Sequence, residues 1–459
     1  MQHYNDGLES HNPKLYNPLK IKAMKPSRYN YYLPYKGQTI IYNGLTEHFF
    51  KVKGEHADFY KTLVDYPDDN LDGETVSNFL DKLKSDGFIL DDDTDEFELL
   101  REKYERLRRP YEYHLMILTT YDCNLRCWYC VQDHQKLVMD DALIDAIKAH
   151  VEKALKTEGI QIFFLNWFGG EPLLDYERLK DFTEFAKSLC EKNGIMFHSG
   201  ITTNGTLLDK ERIDALNAAG VTNYQITVDG PKKIHDKVKH CHEIESAFDK
   251  ALENVDYLSR FADCTLRFNY THKNLLVDEL LADLENKLSP ESRRRVHLSI
   301  YKVWQESQSL IDDSEVERLY KGAHRLALHP YLPQAGMCYA DQKHFYCVFP
   351  NGKVGKCDNH SPGSVGGTMT PAGDIIWPEM QLHHKSVVDI PDCECIECRY
   401  LPLCWGPCVS KRKVMYSGNS KVECMYSDRD KDMAKLITSA CINYESAEAY
   451  MEIENPSDK

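Results

Sequence analysis

The sequence predicts an α/β chain: six β/α units in its middle, a small α+β module before them and a cysteine-rich segment after them. Three observations carry this. From about Tyr113 short apolar strands alternate with amphipathic helices; ahead of that point apolar and polar residues alternate around tight turns; beyond about Pro330 both patterns give way to Gly, Pro and Cys. A chain of 459 residues also exceeds what one hydrophobic core usually serves, so two or three domains are expected.

In order along the chain, residues 1–25 are polar with scattered prolines and read as a flexible arm. From Tyr29 to Val52 the alternation turns at Lys36-Gly37 and Asn43-Gly44, the pattern of a small antiparallel unit. Helices are expected around Ala57–Tyr66 and from Glu74 to Ser85. Gly87 stops the second, and Phe88-Ile89-Leu90 returns as a strand before an acidic turn. Residues 26–108 thus form a winged-helix-like module.

Candidate strands follow at His114–Thr119, Ile160–Trp167, Met196–Thr203, Tyr224–Val228, Thr265–Tyr270 and Val296–Tyr301. Helices lie between them, such as the one carrying Leu143, Ile147, Val151 and Leu155 on a single face. Successive β/α units imply a parallel sheet, doubly wound or curved into a partial (β/α)6 TIM-like barrel, over residues 109–330. In a parallel barrel the chemistry sits on loops at the C-terminal ends of the strands. Residues 331–430 lack the apolar runs for a large core and need cross-links or metal. Residues 431–459 hold a helix and a tail.

Composition narrows the function. The hydrophobic fraction of 42% and charged fraction of 28% are those of a soluble globular protein. No stretch approaches the roughly 20 apolar residues of a membrane span, and Met1 to Lys22 lacks the apolar core of a secretion signal. A cytoplasmic protein is expected. The net charge of −16 argues against a nucleic-acid binder. Sixteen cysteines in a reducing compartment point to metal ligation or catalysis rather than disulfides.

The first candidate strand runs into TTYDCNLRCWYC, which sets Cys123, Cys127 and Cys130 in a CxxxCxxC array. A structural zinc site wants four closed ligands, and no fourth lies in register; His134, the nearest of the right type, reads as a surface residue. Three thiolates suit a four-iron cluster with one iron open, the mark of a catalytic centre. The second strand ends in WFGGEPLL, the third in TTNG, the fourth in Thr227-Val228-Asp229-Gly230 and the fifth in Arg267-Phe268-Asn269. Singly these are turn glycines and helix caps. After consecutive strands they form a set.

That set resembles the radical S-adenosylmethionine superfamily, whose signature is CxxxCxxC with an aromatic, here Tyr129, before the last cysteine. The resemblance implies a [4Fe-4S] cluster on Cys123, Cys127 and Cys130, with S-adenosylmethionine on its free iron. It implies cofactor contacts at Gly169, Gly170, Glu171 and Pro172, where paired glycines let the backbone approach the ligand and the glutamate meets the methionine ammonium. Asn204, Thr227, Asp229 and Asn269 follow as further cofactor-binding positions. Thr227 stands where relatives often carry Ser. Lys239 stands where some carry an arginine against the methionine carboxylate; it keeps the charge but loses the bidentate fork.

The run CIECRYLPLCWGPC resembles the SPASM domain, an auxiliary-cluster module of radical enzymes that modify peptides and proteins. The resemblance implies two further [4Fe-4S] clusters, three in all: one on Cys338, Cys347, Cys357 and Cys408, the other on Cys395, Cys398, Cys404 and Cys424. A pair of zinc sites is the alternative that CxxC spacing alone allows. Cys393 reads as a spare; Cys190, Cys241, Cys264 and Cys441 read as small buried apolar residues. Asp358, next to Cys357, is expected as a catalytic base that accepts a proton from the substrate.

The N-terminal module is similar to the leader-peptide recognition element of peptide maturases. An edge strand near Tyr29–Tyr32 or Thr39–Tyr42 would take up the peptide by strand addition. The expectation is a maturase of a ribosomally made precursor peptide, forming a thioether or carbon–carbon cross-link or another oxidised product, with flavodoxin or ferredoxin as electron donor. Oxidation of a sulfatase Cys or Ser to formylglycine is the second reading, and a zinc-stabilised binding protein without catalysis the third.

Overall fold

The computed structural model describes residues 24–67, 74–132, 134–239, 244–332, 336–358, 365–378, 388, 393–408, 412, 424, 426 and 428–454. Residues 1–23 of the expected arm, and Cys241, lie outside them.

The N-terminal module runs β1 (Met24–Pro26), β2 (Asn30–Tyr35), β3 (Gln38–Asn43), β4 (Phe49–Lys53), α1 (Ala57–Asp65), α2 (Glu74–Ser85), β5 (Ile89–Asp91) and α3 (Glu96–Leu107). β2, β3 and β4 form an antiparallel sheet in that order, and β1 pairs with β5. Lys36 and Gly37 take φ of 49° and 76°, the pair of positive values that a two-residue hairpin turn demands. Three expectations change. Met24 and Lys25, placed in the arm, lie in a strand. β3 is the central strand, bonded on both sides, so Thr39–Tyr42 offers no edge to a peptide. The acidic turn also hides α3, which starts on Asp95; the Asp95 carboxylate accepts from Phe97 N and Glu98 N.

The barrel follows: β6 (Glu112–Leu118), α4 (Asp141–Ala154), β7 (Ile162–Phe168), α5 (Tyr176–Asn193), β8 (Met196–Thr203), α6 (Lys210–Ala219), β9 (Val221–Val228), α7 (Lys232–Val238), α8 (Ala247–Leu258), β10 (Asp263–Tyr270), α9 (Val277–Lys287), α10 (Pro290–Arg293), β11 (Val296–Lys302) and α11 (Asp313–Arg325). β6 to β11 lie parallel in sequence order. Leu115, Ile117, Leu165, Trp167, Ile226, Val228, Leu266 and Phe268 join the helices in one core. Side chains alternate along a strand, so their neighbours face the concave side, where the rings of His114, Phe164 and His198 stack at 4.4 and 5.0 Å.

β12 (His329–Tyr331) extends the sheet beside β11, and β13 (His344–Val348) joins it parallel to β6 at the other edge. β14 (Lys353–Gly355), β15 (Val365–Met369) and β16 (Ile375–Ile376) continue from β13 antiparallel. The barrel is therefore partial, an open sheet. The boundary expected at 330/331 falls inside β12, and the cysteine-rich segment continues the barrel sheet because β13 finds a free strand edge at β6. Beyond it come α12 (Leu401–Cys404) and a helix at Arg429–Glu454. Both pack on the N-terminal module, where Tyr31 meets Leu403, Met433 and Ile437. Arg399 Nη2 donates to Asn30 O of β2, and Tyr31 stacks on Tyr400 at 5.3 Å. Among the described residues no helix is long and apolar enough to cross a membrane.

His114, His150, His235, His297 and His344 all sit below the usual histidine range, chiefly through burial. Each stays neutral in the fold, so its stability contribution is whole above the unfolded value of about 6.5 and is lost as pH falls below it. The melting temperature should hold near neutrality and drop between about pH 6.5 and 5. Calorimetry across that range checks this; an unchanged Tm at pH 5 would contradict it.

Candidate active site

The loops leaving the C-terminal ends of β6 to β10 interlock at one rim of the sheet. The loop after β6 carries Cys123, Cys127 and Cys130, each partly buried. The loop after β7 lies directly against it: Gly170 N donates to Thr120 O (3.0 Å) and Glu171 N to Asp122 O (2.8 Å). A Cβ on Gly169, where φ is 135°, would meet Thr120 O at 2.6 Å, and one on Gly170 would meet Asp122 O at 1.8 Å. The glycines were expected to clear space for a ligand. What approaches them here is the backbone of the cysteine loop.

Glu171 is fully buried. Its Oε1 accepts from Leu173 N (3.1 Å) and Thr203 Oγ1 (2.7 Å), and its Oε2 from Asn204 N (2.9 Å). Most of its acceptor capacity is thus taken by the protein, and the carboxylate clasps the loops after β7 and β8 instead of standing free for an ammonium. Burial raises its pKa against these donors. Glu171→Gln would turn an NH2 toward N–H or hydroxyl donors, and should cost about 1–3 kcal/mol, read as a lower urea midpoint. Thr203, which completes the clasp, escaped the sequence reading; the threonine ahead of Asn204 in TTNG was its only signal. Pro172 begins a buried 3-10 turn behind the clasp.

The other loops close around the cysteines. Asn204 Nδ2 donates to Asn124 Oδ1 (2.9 Å) and approaches Cys123 Sγ at 3.7 Å. Asp229, wholly buried, accepts from Tyr129 Oη at 2.7 Å on both oxygens. Asn269 Nδ2 reaches Tyr129 Oη (3.3 Å) and Asp229 Oδ1 (3.4 Å). Lys239, 4% exposed, donates to Thr227 Oγ1 (2.5 Å) and pairs with Asp229 Oδ2 at 3.8 Å. Burial alone would lower the Lys239 pKa. Nearby acidic groups, Asp229 foremost, outweigh that burial and hold the ammonium charged. Every residue expected at the first site gathers here.

Burial pushes the Cys123 thiol up to about 12, with Glu171 adding to it, and burial also raises Cys127. Cys127 acts electrostatically on Cys123, and Cys130 on Cys127, so the three share one field. Two residues after Cys130, the buried Gln132 amide leaves both its polar atoms without a partner. Three partly buried thiols on one loop, a cation beside them and an orphaned amide fit a metal centre, whose binding strips thiol protons. Among the described residues no three His, Cys, Asp or Glu side chains close round a single ion. A four-iron cluster takes its thiolates on separate irons.

In the C-terminal segment Cys395, Cys398, Cys404 and Cys424 line one cavity of about 60 Å³, with Tyr400, Tyr426 and Arg429 on its wall. Those four are the cysteines assigned from sequence to a single cluster. The other set arrives in two halves. Cys347 lies opposite Gly355 in the β13–β14 pair and senses Cys357, while Cys338 senses Cys408. Tyr339 bridges them: its hydroxyl donates to Asp358 Oδ1 (2.5 Å) and lies 3.5 Å from Cys357 Sγ. Tyr339 was not anticipated. Cys393 is buried with Tyr29, Leu401 and Trp405, and Cys190, Cys264 and Cys441 are buried as expected.

A parallel partial barrel with three thiols at its C-terminal rim defines the class, and residues 117–272 match the Radical SAM superfamily. Over that stretch, which runs from the end of β6 through β10, the chain is similar to radical SAM domains. A GTP 3′,8-cyclase of Actinobacillus pleuropneumoniae serotype 5b (strain L20) is 29% identical over 201 residues, 40% of this chain and 52% of that protein. A cysteine-type anaerobic sulfatase-maturating enzyme of Clostridium novyi (strain NT) is 27% identical over 146 residues, 30% of this chain and 38% of that one. The chain spans about half, or less, of the length of the curated relatives it matches. In fold it is similar to the solved structure "Native anSMEcpe with bound AdoMet and Cp18Cys peptide", at TM-score 0.53 and 16% identity over 74% of this chain and 99% of that one.

Proposed function

We propose that this chain is a cytoplasmic radical S-adenosylmethionine enzyme that modifies a ribosomally made precursor peptide, forming a thioether or carbon–carbon cross-link or another oxidised product. One observation carries it: the cysteine loop is locked between the Gly169-Gly170-Glu171 loop and Asn204, facing the Lys239–Asp229 pair. A [4Fe-4S] cluster bound there would supply the electron for reductive cleavage of S-adenosylmethionine. Cys123, Cys127 and Cys130 hold that cluster. Lys239 presents its charge to the cofactor carboxylate, and Thr227 and Asp229 keep the ammonium in place. Tyr129 and Asn269 brace Asp229. Gly169, Gly170, Glu171 and Pro172 fix the height of the cysteine loop, and Asn204 orients Cys123.

Cys338, Cys347, Cys357 and Cys408 hold a second cluster, and Cys395, Cys398, Cys404 and Cys424 a third. Asp358, held by Tyr339 beside Cys357, accepts a proton as the substrate is oxidised. An external flavodoxin or ferredoxin supplies electrons. The N-terminal module binds the leader of the peptide along the β2 edge, since β3 is enclosed. Formylglycine formation in a sulfatase is the second reading; the Clostridium novyi relative and the Cys357–Asp358–Tyr339 contact favour it.

Anaerobically prepared protein should hold about twelve irons and release 5′-deoxyadenosine with S-adenosylmethionine and a strong reductant. Zinc without visible absorption would favour the binding-protein reading. Asp358→Asn should keep cofactor cleavage while cutting the rate of product formation by about 100-fold or more, the scale of a lost general base. Product analysis by mass spectrometry checks it, and an unchanged rate would remove Asp358 from the mechanism.

A further inference from the structure

The concave side of the sheet holds a charge that the proposed catalytic groups leave unused. Arg267 lies in β10 two residues before Asn269, between Thr227 of β9 and Ser299 of β11. Leu266 and Phe268 enter the helix-covered core, so Arg267 shares the concave face with Asn269. Its Nε donates to Asn269 Oδ1 (3.1 Å), and its guanidinium lies 4.3 Å over the ring of Tyr301. These contacts use one of its N–H groups. The outer fork has no acceptor and no acidic partner among the described residues.

That is unexpected in this chain. With 72 Asp and Glu and a net charge of −16, an acid could have been placed beside Arg267. Lys239, the other cation of the site, has Asp229. Asp263, the acid on the same face of β10, begins the strand four residues away, about 13 Å along it. The surrounding concave face is largely polar: Asn166, Thr202 and Gln225 line a cavity of about 290 Å³ whose one acid is Asp263, at the start of β10, and burial keeps His297 below the usual histidine range. A partly buried guanidinium, stacked and oriented yet unpaired, is built for an anion that arrives with a ligand.

We propose that Arg267, braced by Asn269 and Tyr301, is a subsite for a carboxylate on the substrate, so that the enzyme selects peptides with an acidic side chain beside the reacting residue. A carboxylate matches the fork of the guanidinium. This rests on the peptide-modifying reading and names a specificity element for it.

The test uses the full chain, loaded anaerobically, and two probes that differ only in carboxylate against amide: N-acetyl-Gly-Asp-Gly-amide and N-acetyl-Gly-Asn-Gly-amide. Wild-type protein should bind the Asp probe roughly tenfold or more tighter in an NMR titration, the scale of a charge-assisted pair. Arg267→Gln should abolish that preference, and Arg267→Lys should keep only part of it. Equal binding of the probes by the wild type, or a preference that survives Arg267→Gln, overturns the proposal. So does a tenfold weaker grip on S-adenosylmethionine in Arg267→Gln by equilibrium dialysis, which would make the anion the cofactor's own. Should Arg267→Gln fail to fold, the Arg267→Lys ratio decides. No step requires turnover, so an absence of 5′-deoxyadenosine would sink the broader reading and leave this one to be judged separately.

Discussion

Replacing Cys123, Cys127 and Cys130 together by Ala should lower the iron content from about twelve to about eight per chain and reduce 5′-deoxyadenosine release to background. The effect is selective because the three thiols belong to one loop at the rim, while Cys395, Cys398, Cys404 and Cys424 line a separate cavity. Iron analysis, visible absorption and chromatography of the nucleoside product read this out. A variant that kept all its iron, or went on cleaving the cofactor, would mean that these thiols do not hold the catalytic centre.

Gly170→Ala should be nearly as damaging, although it carries no thiol. The added methyl would sit 1.8 Å from Asp122 O and 2.6 Å from Tyr121 O, and both contacts are backbone, which cannot swing away. The cysteine loop has to lift, losing the bonds from Gly170 N to Thr120 O and from Glu171 N to Asp122 O. The expected cost is about 2–4 kcal/mol, from two lost bonds and an overpacked contact, with the first cluster lost and the auxiliary irons kept. Gly159→Ala is the control. Gly159 also has a positive φ, 88°, but nothing lies within 4 Å of its would-be Cβ; it should lose about 1 kcal/mol and no iron. Denaturant melts and iron counts on the pair separate collision from backbone strain. Full iron in Gly170→Ala would show that the two loops are free to part.

The contrast explains what could be read from the chain beforehand. CxxxCxxC, the glycine pair and the strand-end Asn and Asp residues were legible because each lies within a few positions of its own strand, where periodicity and turn chemistry act. Their partners were not. Tyr129 meets Asp229 across 100 residues, and Thr203 meets Glu171 across 32; these contacts follow from the register of parallel strands, which leaves no local trace. The Asn351-Gly352 turn marks the β13–β14 hairpin itself, but the pairing of β13 with β6 was missed for the same reason, since β6 lies far upstream. α3 was hidden because the acidic residues that mark its N-terminus also read as a turn. The glutamate of the glycine loop was assigned to the cofactor from resemblance, whereas its burial and three donors tie it first to the protein.

The most direct measurement is electron paramagnetic resonance of the reduced, anaerobic protein with and without S-adenosylmethionine, beside the triple cysteine variant. A cluster with an open iron on Cys123, Cys127 and Cys130 predicts a signal that changes when the cofactor is added and is missing from the variant. A signal indifferent to the cofactor, or one that persists in the variant unchanged, would contradict it.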